Sequence, residues 1–310
     1  MHSSLAQLRP LLPVVCALLL WVSELYMQPA HAQLPEAADT CLACHDHPQL
    51  NAVLHGPHAV LSDPRNRFAE DGCASCHGAS EAHMRRPPRG EPRAAADVRF
   101  ARGEGGGAGD AVCLDCHRGS AMHWTGSAHA DAGLACVDCH QLHTLDDPML
   151  SADTEVEHCA SCHRKEHAEF MKVSAHPLDM GRMQCSDCHA PHGSATPGAL
   201  TRSTLNETCH ECHAEMRGPF LWEHPPAAED CMSCHTPHGS SHTALLKQRT
   251  PFLCQQCHLA QFHPSTALSG TGLSGSSLPS GSTSLMGQDC LNCHQQVHGS
   301  NHPSGVGATR

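Results

Sequence analysis

One five-residue motif recurs ten times in this chain and constrains its fold more than any other feature. Each copy reads Cys-x-x-Cys-His, and the copies, numbered here 1 to 10, run from CLACH at 41–45 to CLNCH at 290–294. The cysteines are Cys41, Cys44, Cys73, Cys76, Cys113, Cys116, Cys136, Cys139, Cys159, Cys162, Cys185, Cys188, Cys209, Cys212, Cys231, Cys234, Cys254, Cys257, Cys290 and Cys293. The motif histidines are His45, His77, His117, His140, His163, His189, His213, His235, His258 and His294. Cys16 is the one cysteine outside a motif.

Several kinds of site use paired cysteines, and the histidine distinguishes among them. Zinc sites pair two such knuckles but do not require a histidine directly after the second cysteine. A thioredoxin-like site has one pair, and a disulfide framework leaves the ten histidines unexplained. Cys-x-x-Cys-His is the c-type haem attachment motif, in which the thiols form thioethers to the porphyrin and the histidine binds the iron. The repeats therefore predict ten covalent haem c groups, with the motif histidines as proximal ligands.

Apolar bulk is scarce for a chain of 310 residues, because aromatic side chains make up only 3% of it. A protein of this size normally buries far more apolar surface to offset its conformational entropy. We therefore expect the porphyrins to form the core, wrapped by an elongated multihaem cytochrome c that is mostly loop with short α-helices and little or no β-strand. The formal net charge of -12 argues against binding to nucleic acid.

The N-terminal residues have the features of a signal peptide. A positive charge at Arg9 precedes the short apolar run 11–22, and Ala30-His31-Ala32 is a small-x-small cleavage site. We expect residues 1–32 to be removed, leaving an exported, periplasmic chain without a membrane span of its own. Val15 precedes Cys16 where a lipoprotein site favours a small residue, so lipidation is not expected. Export agrees with haem c, which is attached outside the cytoplasm.

The second axial ligand decides whether a haem transfers electrons or binds small molecules, and histidines are abundant enough to fill every site. Candidates either follow a motif closely, precede the next motif, or lie before a proline. Those that follow their own motif should reach a neighbouring haem, which requires close haem packing. Methionine is the rival ligand, but the methionines have no repeating register with the motifs. The eleven candidates for ten sites are His58, His83, His129, His143, His176, His192, His224, His238, His263, His298 and His302.

The other histidines are assigned to the surface or to structural roles, and one of the eleven candidates must be surplus. These others include His47, His55, His123, His158, His167, His210 and His242.

The motif spacing is dense in the middle of the chain and looser at both ends. We expect two five-haem modules, 33–180 and 181–310, after the signal peptide at 1–32. The stretch 84–110 holds six arginines, which either pair with haem propionates or a partner or form a solvated loop. The Ser/Gly-rich stretch 265–288 is predicted to be a loop.

The motifs of the mature chain resemble a known family. SAHPLDMGRMQCSDCHAPHGS, ETCHECHAEMRGPFLWEHPPAAEDCMSCHTPHGS, LCQQCH and DCLNCHQQVHGSNHPSG are similar to the decahaem c-type cytochromes of the MtrA/DmsE type. The resemblance covers most of the chain and is most specific from residue 112 onward. It implies a tandem pentahaem protein with a continuous chain of bis-histidine haems. It also implies an outer-membrane β-barrel partner that encloses the cytochrome, with periplasmic or extracellular cytochromes as further partners.

These features favour electron transfer between a periplasmic redox partner and an extracellular acceptor or donor such as a metal oxide, with no direction fixed. Two alternatives remain. A soluble periplasmic multihaem shuttle would need no barrel. A multihaem nitrogen-compound oxidoreductase would need an altered motif or an open iron position, and all ten motifs are regular.

Overall fold

The computed structural model describes residues 36–258, 289–292 and 294–303. The signal-peptide prediction, the whole predicted 265–288 loop, Cys293 and His263 therefore lie outside the described residues. Within them, the twelve α-helices are α1 Glu36–His45, α2 Pro48–Asn51, α3 Phe68–Asp71, α4 Ala74–His77, α5 Glu81–Met84, α6 Gly107–Cys116, α7 Ala128–Asp131, α8 Cys136–Cys139, α9 Ala152–Ala160, α10 Arg164–Phe170, α11 Leu205–His210 and α12 Pro225–Glu229.

Short 3₁₀ turns make up most of the remaining regular structure. They lie at Ala52–His55, Pro57–Ala59, Pro148–Leu150, Cys185–Asp187, Pro197–Ala199, Ala214–Met216, Cys231–Ser233, Thr243–Leu245, Cys254–Gln256 and Cys290–Asn292. The one named sheet in the described part pairs β1, Trp222–Glu223, with β2, Gly299–Ser300, in antiparallel register. The prediction of loop, short helices and little strand is confirmed. No helix among the described residues is long and apolar enough to cross a membrane.

Each attachment motif folds as one helical turn because its three reactive residues must point the same way. Residues at i, i+3 and i+4 share one face of a helix, which brings two sulfurs and one imidazole to the same side. In motifs 2 to 10 the amide of the motif histidine donates to the carbonyl of the first cysteine, at 2.8–3.1 Å. The sequence motif alone therefore specifies the local geometry.

Odd- and even-numbered motifs occupy different positions in the helices. Motifs 1, 3, 5 and 7 include the C-terminal parts of α1, α6, α9 and α11, whereas motifs 4, 6 and 8 are single turns. In two of these turns the second x residue is an aspartate that caps the turn. Asp138 accepts from the amide of Ala135 at 2.7 Å, and Asp187 accepts from the amide of Gln184 at 2.9 Å.

Few apolar side chains are buried anywhere in the described chain. They are Ala38, Phe68, Trp124, Ala135 and Leu178. Larger ones such as Leu150 and Val173 are 77% and 93% exposed. A chain of this size cannot be stabilised by so few buried residues, which supports the expectation that bound porphyrins supply the apolar surface.

The chain divides into two compact units, Met1–Asp97 and Val98–Arg310. Of the motifs, numbers 1 and 2 belong to the first unit and numbers 3 to 10 to the second. The predicted five-haem modules, divided at residue 180, group the haems rather than the compact units of the chain. That division stays a prediction.

Candidate metal centres

Within the described residues, the imidazole rings of seven motif histidines each lie opposite the ring of a distal candidate. The centroid separations are 5.8 Å for His45 and His83, 6.0 Å for His163 and His129, 6.0 Å for His140 and His192, 6.0 Å for His189 and His238, 6.4 Å for His213 and His176, 6.0 Å for His235 and His298, and 6.1 Å for His258 and His224. None of these seven pairs contains a histidine that the sequence assigns to the surface.

The spacing of these pairs fits two imidazoles bound to one iron. Two metal–nitrogen bonds of about 2 Å, with about 1 Å more from each nitrogen to its ring centre, put the ring centres about 6 Å apart. Direct stacking contact would bring two rings closer than this. The donor chemistry therefore fits haem iron held between two histidines.

The seven pairs interlock distant parts of the chain. A histidine that follows motif 6, 8 or 10 faces the motif histidine two motifs earlier. A histidine that lies between motifs 3 and 4 faces the histidine of motif 5, and the histidines between motifs 5 and 6 and between motifs 7 and 8 face those of motifs 7 and 9 in the same way. His83, which follows motif 2, faces motif 1. Each distal side chain thus reaches past its own neighbourhood, as expected from sequence for those that follow a motif.

Three motif histidines and four candidates stand outside these seven pairs. The motif histidines are His77, His117 and His294. The candidates are His58, His143, His263 and His302. Their roles stay predictions.

Hydrogen bonds at Nδ1 leave Nε2 of these rings available to bind a metal. Because a carbonyl oxygen only accepts, the Nδ1 that contacts it carries the proton and Nε2 keeps its lone pair. Partner carbonyls contact proximal and distal rings alike, at 2.7–3.1 Å. The pairs are His83 with Ala94, His129 with Pro191, His176 with Pro237, His189 with Gly198, His192 with Ser120, and His235 with Ala244.

His140 has a different partner from these rings. Its Nδ1 lies 2.7 Å from a carboxylate oxygen of Asp147, whose side chain is 11% exposed. The same carboxylate accepts from the amide of Met149 at 3.1 Å. A carboxylate at this position orients the imidazole and makes it a more basic ligand.

Burial favours the neutral form of two of the distal rings. Burial, reinforced by the nearby ring of His189, lowers the pKa of His238 below its ordinary value. Burial also lowers the pKa of His298, with His235 as the next cause. Neutral imidazole is the form that binds a metal.

A glycine directly follows each of the distal histidines at 192, 238 and 298, because the chain there packs against backbone or an aromatic ring. Gly239 has φ +149°, and a Cβ on it would lie 2.0 Å from the carbonyl oxygen of Glu169. A Cβ on Gly193 would lie 2.7 Å from the carbonyl oxygen of His123. The His-Gly pairs therefore fix where the distal rings sit.

We expect Gly239→Ala to destabilise the protein by about 2 kcal/mol or more, because both its backbone conformation and the space exclude a side chain. Guanidinium unfolding followed by circular dichroism measures the loss. Gly198→Ala is the matched control, since Gly198 has φ +75° but no atom within 4 Å of an added Cβ. Equal losses for the two variants would contradict the close packing at Gly239.

The first cysteines of consecutive motifs meet in five pairs. Thiols at positions 41 and 73, 113 and 136, 159 and 185, 209 and 231, and 254 and 290 lie close enough to shift the pKa of one member of each pair. Burial, with the neighbouring thiol, raises the pKa of Cys73 to about 11 and that of Cys209 to about 12. The thiol of Cys136 lowers the pKa of Cys113. None of the nineteen motif cysteines in the described part forms a disulfide.

Second cysteines approach one another between the next motifs along the chain. Charge interactions couple Cys139 with Cys162, Cys188 with Cys212, and Cys234 with Cys257. Interactions between first cysteines and interactions between second cysteines thus alternate from motif 3 to motif 10. The attachment turns follow one another in space in their sequence order.

Paired zinc knuckles would bring four ligand atoms together at each site. In the described part of the chain, the one group of three or more converging ligand atoms is Glu155, Cys159 and Cys185. Elsewhere in the described part the cysteines meet in twos, which is fewer ligands than a zinc site of paired knuckles needs.

Sequence reasoning found the motif residues and the paired histidines but missed the groups that hold them. Asp147, seven residues after His140, had no recognisable signal. The glycine after each distal histidine was visible in CHAPHG, CHTPHG and CHQQVHG and could have marked those positions as fixed.

Comparison with known proteins agrees with the haem attachment motifs, because each match is to a c-type cytochrome or to a family of Cys-x-x-Cys-His motifs. Residues 176–218 and 224–262 match the family described as doubled CXXCH motif, and residues 73–157 match the family described as cytochrome c-type protein NrfB-like. The chain is 46% identical over 276 residues to "Multiheme cytochrome MtrA" of Shewanella baltica (strain OS185), covering 87% of this chain and 80% of the relative. It is 31% identical over 134 residues to "Cytochrome c-type protein NrfB" of Escherichia coli O6:H1, covering 42% of this chain and 65% of that protein.

Proposed function

Because the chain belongs to the multihaem c-type cytochrome family of MtrA, we propose that it is a ten-haem electron carrier rather than an enzyme. Its twenty motif cysteines would hold the porphyrins, and the motif histidines would bind the irons from one face. When bound, the haem irons cycle between Fe(III) and Fe(II) and pass electrons to their neighbours.

The facing histidine pairs carry this proposal. A side chain that occupies the second axial position excludes a substrate from the iron, so seven sites of this kind favour electron transfer over catalysis. The carbonyls at Nδ1 hold the rings in the tautomer and orientation that ligation needs. The remaining three sites are proposed to be bis-histidine as well.

The contacts between consecutive motifs support one continuous path. Thiols from motifs 3 and 4 touch, those from 4 and 5 are close, and this alternation continues to motif 10. A porphyrin attached at each turn would lie beside the next one. The sequence order of the motifs is therefore the proposed order of electron transfer through them.

We place this carrier in the periplasm, associated with the outer membrane through a β-barrel partner. The resemblance to MtrA supports this location. Electrons would pass between a periplasmic or inner-membrane cytochrome and an extracellular acceptor or donor, such as another multihaem cytochrome or an iron oxide.

The ligand register also predicts the distal ligand of the last haem. In motifs 4 to 9, a histidine that follows an even motif faces two motifs back, and a histidine that follows an odd motif faces two motifs ahead. The same rule would direct His83 to a haem before the first and His263 to a haem after the last, and neither haem exists. His83 faces His45 of motif 1 instead, and by analogy we propose that His263 serves motif 10, which would make His302 the surplus candidate. His263→Ala should then produce one high-spin haem by electron paramagnetic resonance, and His302→Ala should produce none. The reverse outcome would assign His302.

Three measurements on the purified protein test the proposed function. Mass spectrometry and the pyridine haemochrome assay should give ten haems per chain. Electron paramagnetic resonance should show low-spin ferric haem throughout, whereas a high-spin fraction or a new band with nitrite would favour an enzyme. Co-purification with an outer-membrane barrel protein supports the conduit, and recovery in periplasmic extract alone would favour the soluble shuttle.

A further inference from the structure

A side chain that lies just before an odd-numbered motif forms a hydrogen bond with the start of the following even-numbered motif. The charge of this side chain differs from one pair of motifs to the next. These junction residues lie three or four positions before the first cysteine of the odd motif. They are Asp110 before motif 3, Glu155 before motif 5, Asn206 before motif 7 and Thr250 before motif 9. They are not ligands, and the proposed function does not use them.

Glu155 is the most deeply buried of the acidic junction residues. It lies on α9 with 3% of its surface exposed. Its two carboxylate oxygens accept from the amide of Ser186 at 2.9 Å and from the hydroxyl of Ser186 at 2.8 Å. A carboxylate oxygen and the sulfurs of Cys159 and Cys185 all lie within 4.8 Å of one another. One buried carboxylate therefore adjoins the attachment points of two haems.

Asp110 repeats this arrangement between motifs 3 and 4. Its carboxylate accepts from the amide of Cys136 at 2.9 Å and from the indole N–H of Trp124 at 3.0 Å. The side chain is half-buried, beside the paired thiols of Cys113 and Cys136.

Asn206 makes the same connection between motifs 7 and 8 without a charge. Its amide oxygen accepts from the amide of Cys231 at 2.9 Å. Its amide nitrogen donates to the carbonyls of Ala227 and Ala228, at 3.3 and 3.0 Å. An uncharged side chain can therefore make the same hydrogen bond as Asp110. The structural role of a junction residue can thus be distinguished from an electrostatic role.

We propose that the junction carboxylates set reduction potentials along the haem chain: Asp110 and Glu155 lower those of haems 3 to 6, whereas Asn206 adds no charge of its own beside haems 7 and 8. This inference rests on the proposed function, because it requires porphyrins on the paired cysteines.

The direction follows from electrostatics. A fixed negative charge stabilises Fe(III) relative to Fe(II), because the oxidised haem carries one more positive charge. The effect is stronger where burial lowers the effective dielectric constant and where salt cannot screen the charge. Burial, hydrogen bonds and local charge are the means by which a protein adjusts such potentials.

The test uses isosteric exchanges in the ten-haem protein. Glu155→Gln keeps an acceptor for Ser186 but removes the charge, and spectroelectrochemical titration should show two components shifted to higher potential. Asn206→Asp adds a charge at the neutral junction residue between motifs 7 and 8, beside the carboxylate that Asp230 already places there, and two components should shift to lower potential. Haem content, measured on the same samples, separates failure of haem attachment from failure of this inference.

Glu157→Gln is the matched control, because Glu157 lies on the same helix, is exposed and carries the same charge. It should leave the titration unchanged. If Glu155→Gln titrates like Glu157→Gln while unfolding at a lower temperature, Glu155 is purely structural and the proposal is wrong. An unshifted Asn206→Asp with all ten haems would likewise overturn it, even if the Glu155 variant did not fold.

Discussion

Replacing Cys185 and Cys188 together with serine is expected to remove one haem and to stop electron flow through the protein. Motif 6 lies between motifs 5 and 7 in space, because Cys185 contacts Cys159 and Cys188 lies near Cys212. Without its thioethers, haem 6 is lost and the neighbouring haems are left without a bridge. Haem content should fall from ten to nine, and flux across liposomes that carry the protein in the proposed β-barrel partner should fall to the level of protein-free liposomes.

Gln255→Ser with Gln256→Ser is the matched control for this double substitution. These two exposed residues also lie inside a motif, CQQCH, but between its sulfurs. The control should retain ten haems and full flux. If the cysteine variant lost its haem yet conducted like the control, haem 6 would not lie on an obligatory path, and the linear order of motifs 3 to 10 would be wrong for electron transfer.

Exchanging one distal histidine for methionine is expected to raise the reduction potential of a single haem while leaving all ten attached. His192 faces His140, with ring centres 6.0 Å apart, so His192→Met changes the haem of motif 4. Thioether sulfur favours Fe(II) more than imidazole does, and the expected rise is on the order of 100 mV. Spectroelectrochemical titration should show one component displaced upward, with a methionine–iron band near the red end of the spectrum.

His167→Met provides the comparison, because His167 is exposed and outside the seven facing pairs. It should titrate like the unchanged protein. A His192→Met protein without a displaced component would show that this side chain is not a ligand. His238→Met tests the equivalent position facing His189 and should displace a different haem.

Much of the site could be read from the sequence because the attachment motif is local. Two sulfurs and one imidazole at i, i+3 and i+4 share a helical face wherever they occur, so the motif specified each turn without help from the rest of the chain. The low aromatic content agrees with the few buried apolar residues, and the lack of sustained Val, Ile or Thr alternation correctly predicted little strand. The family predicted from the later motifs is confirmed by the similarity to MtrA.

Distal ligands were only partly predictable. Pattern gave eleven candidates, and seven of them face a motif histidine in the described residues. Pattern could not match each candidate to its partner, because the carbonyl that holds His129 belongs to Pro191, sixty-two residues away. The junction residues were missed entirely, since a lone Glu155 or Asn206 in sequence looks like any polar helix residue.

The sequence by itself determined which atoms are predicted to hold the haems, because covalent attachment and proximal ligation depend on residues within one helical turn. Only the tertiary structure decided which histidine faces which motif, in what order the turns follow one another, and where a carboxylate is buried between two of them. These depend on the path of the chain over many tens of residues, and local spacing carries no information about that path.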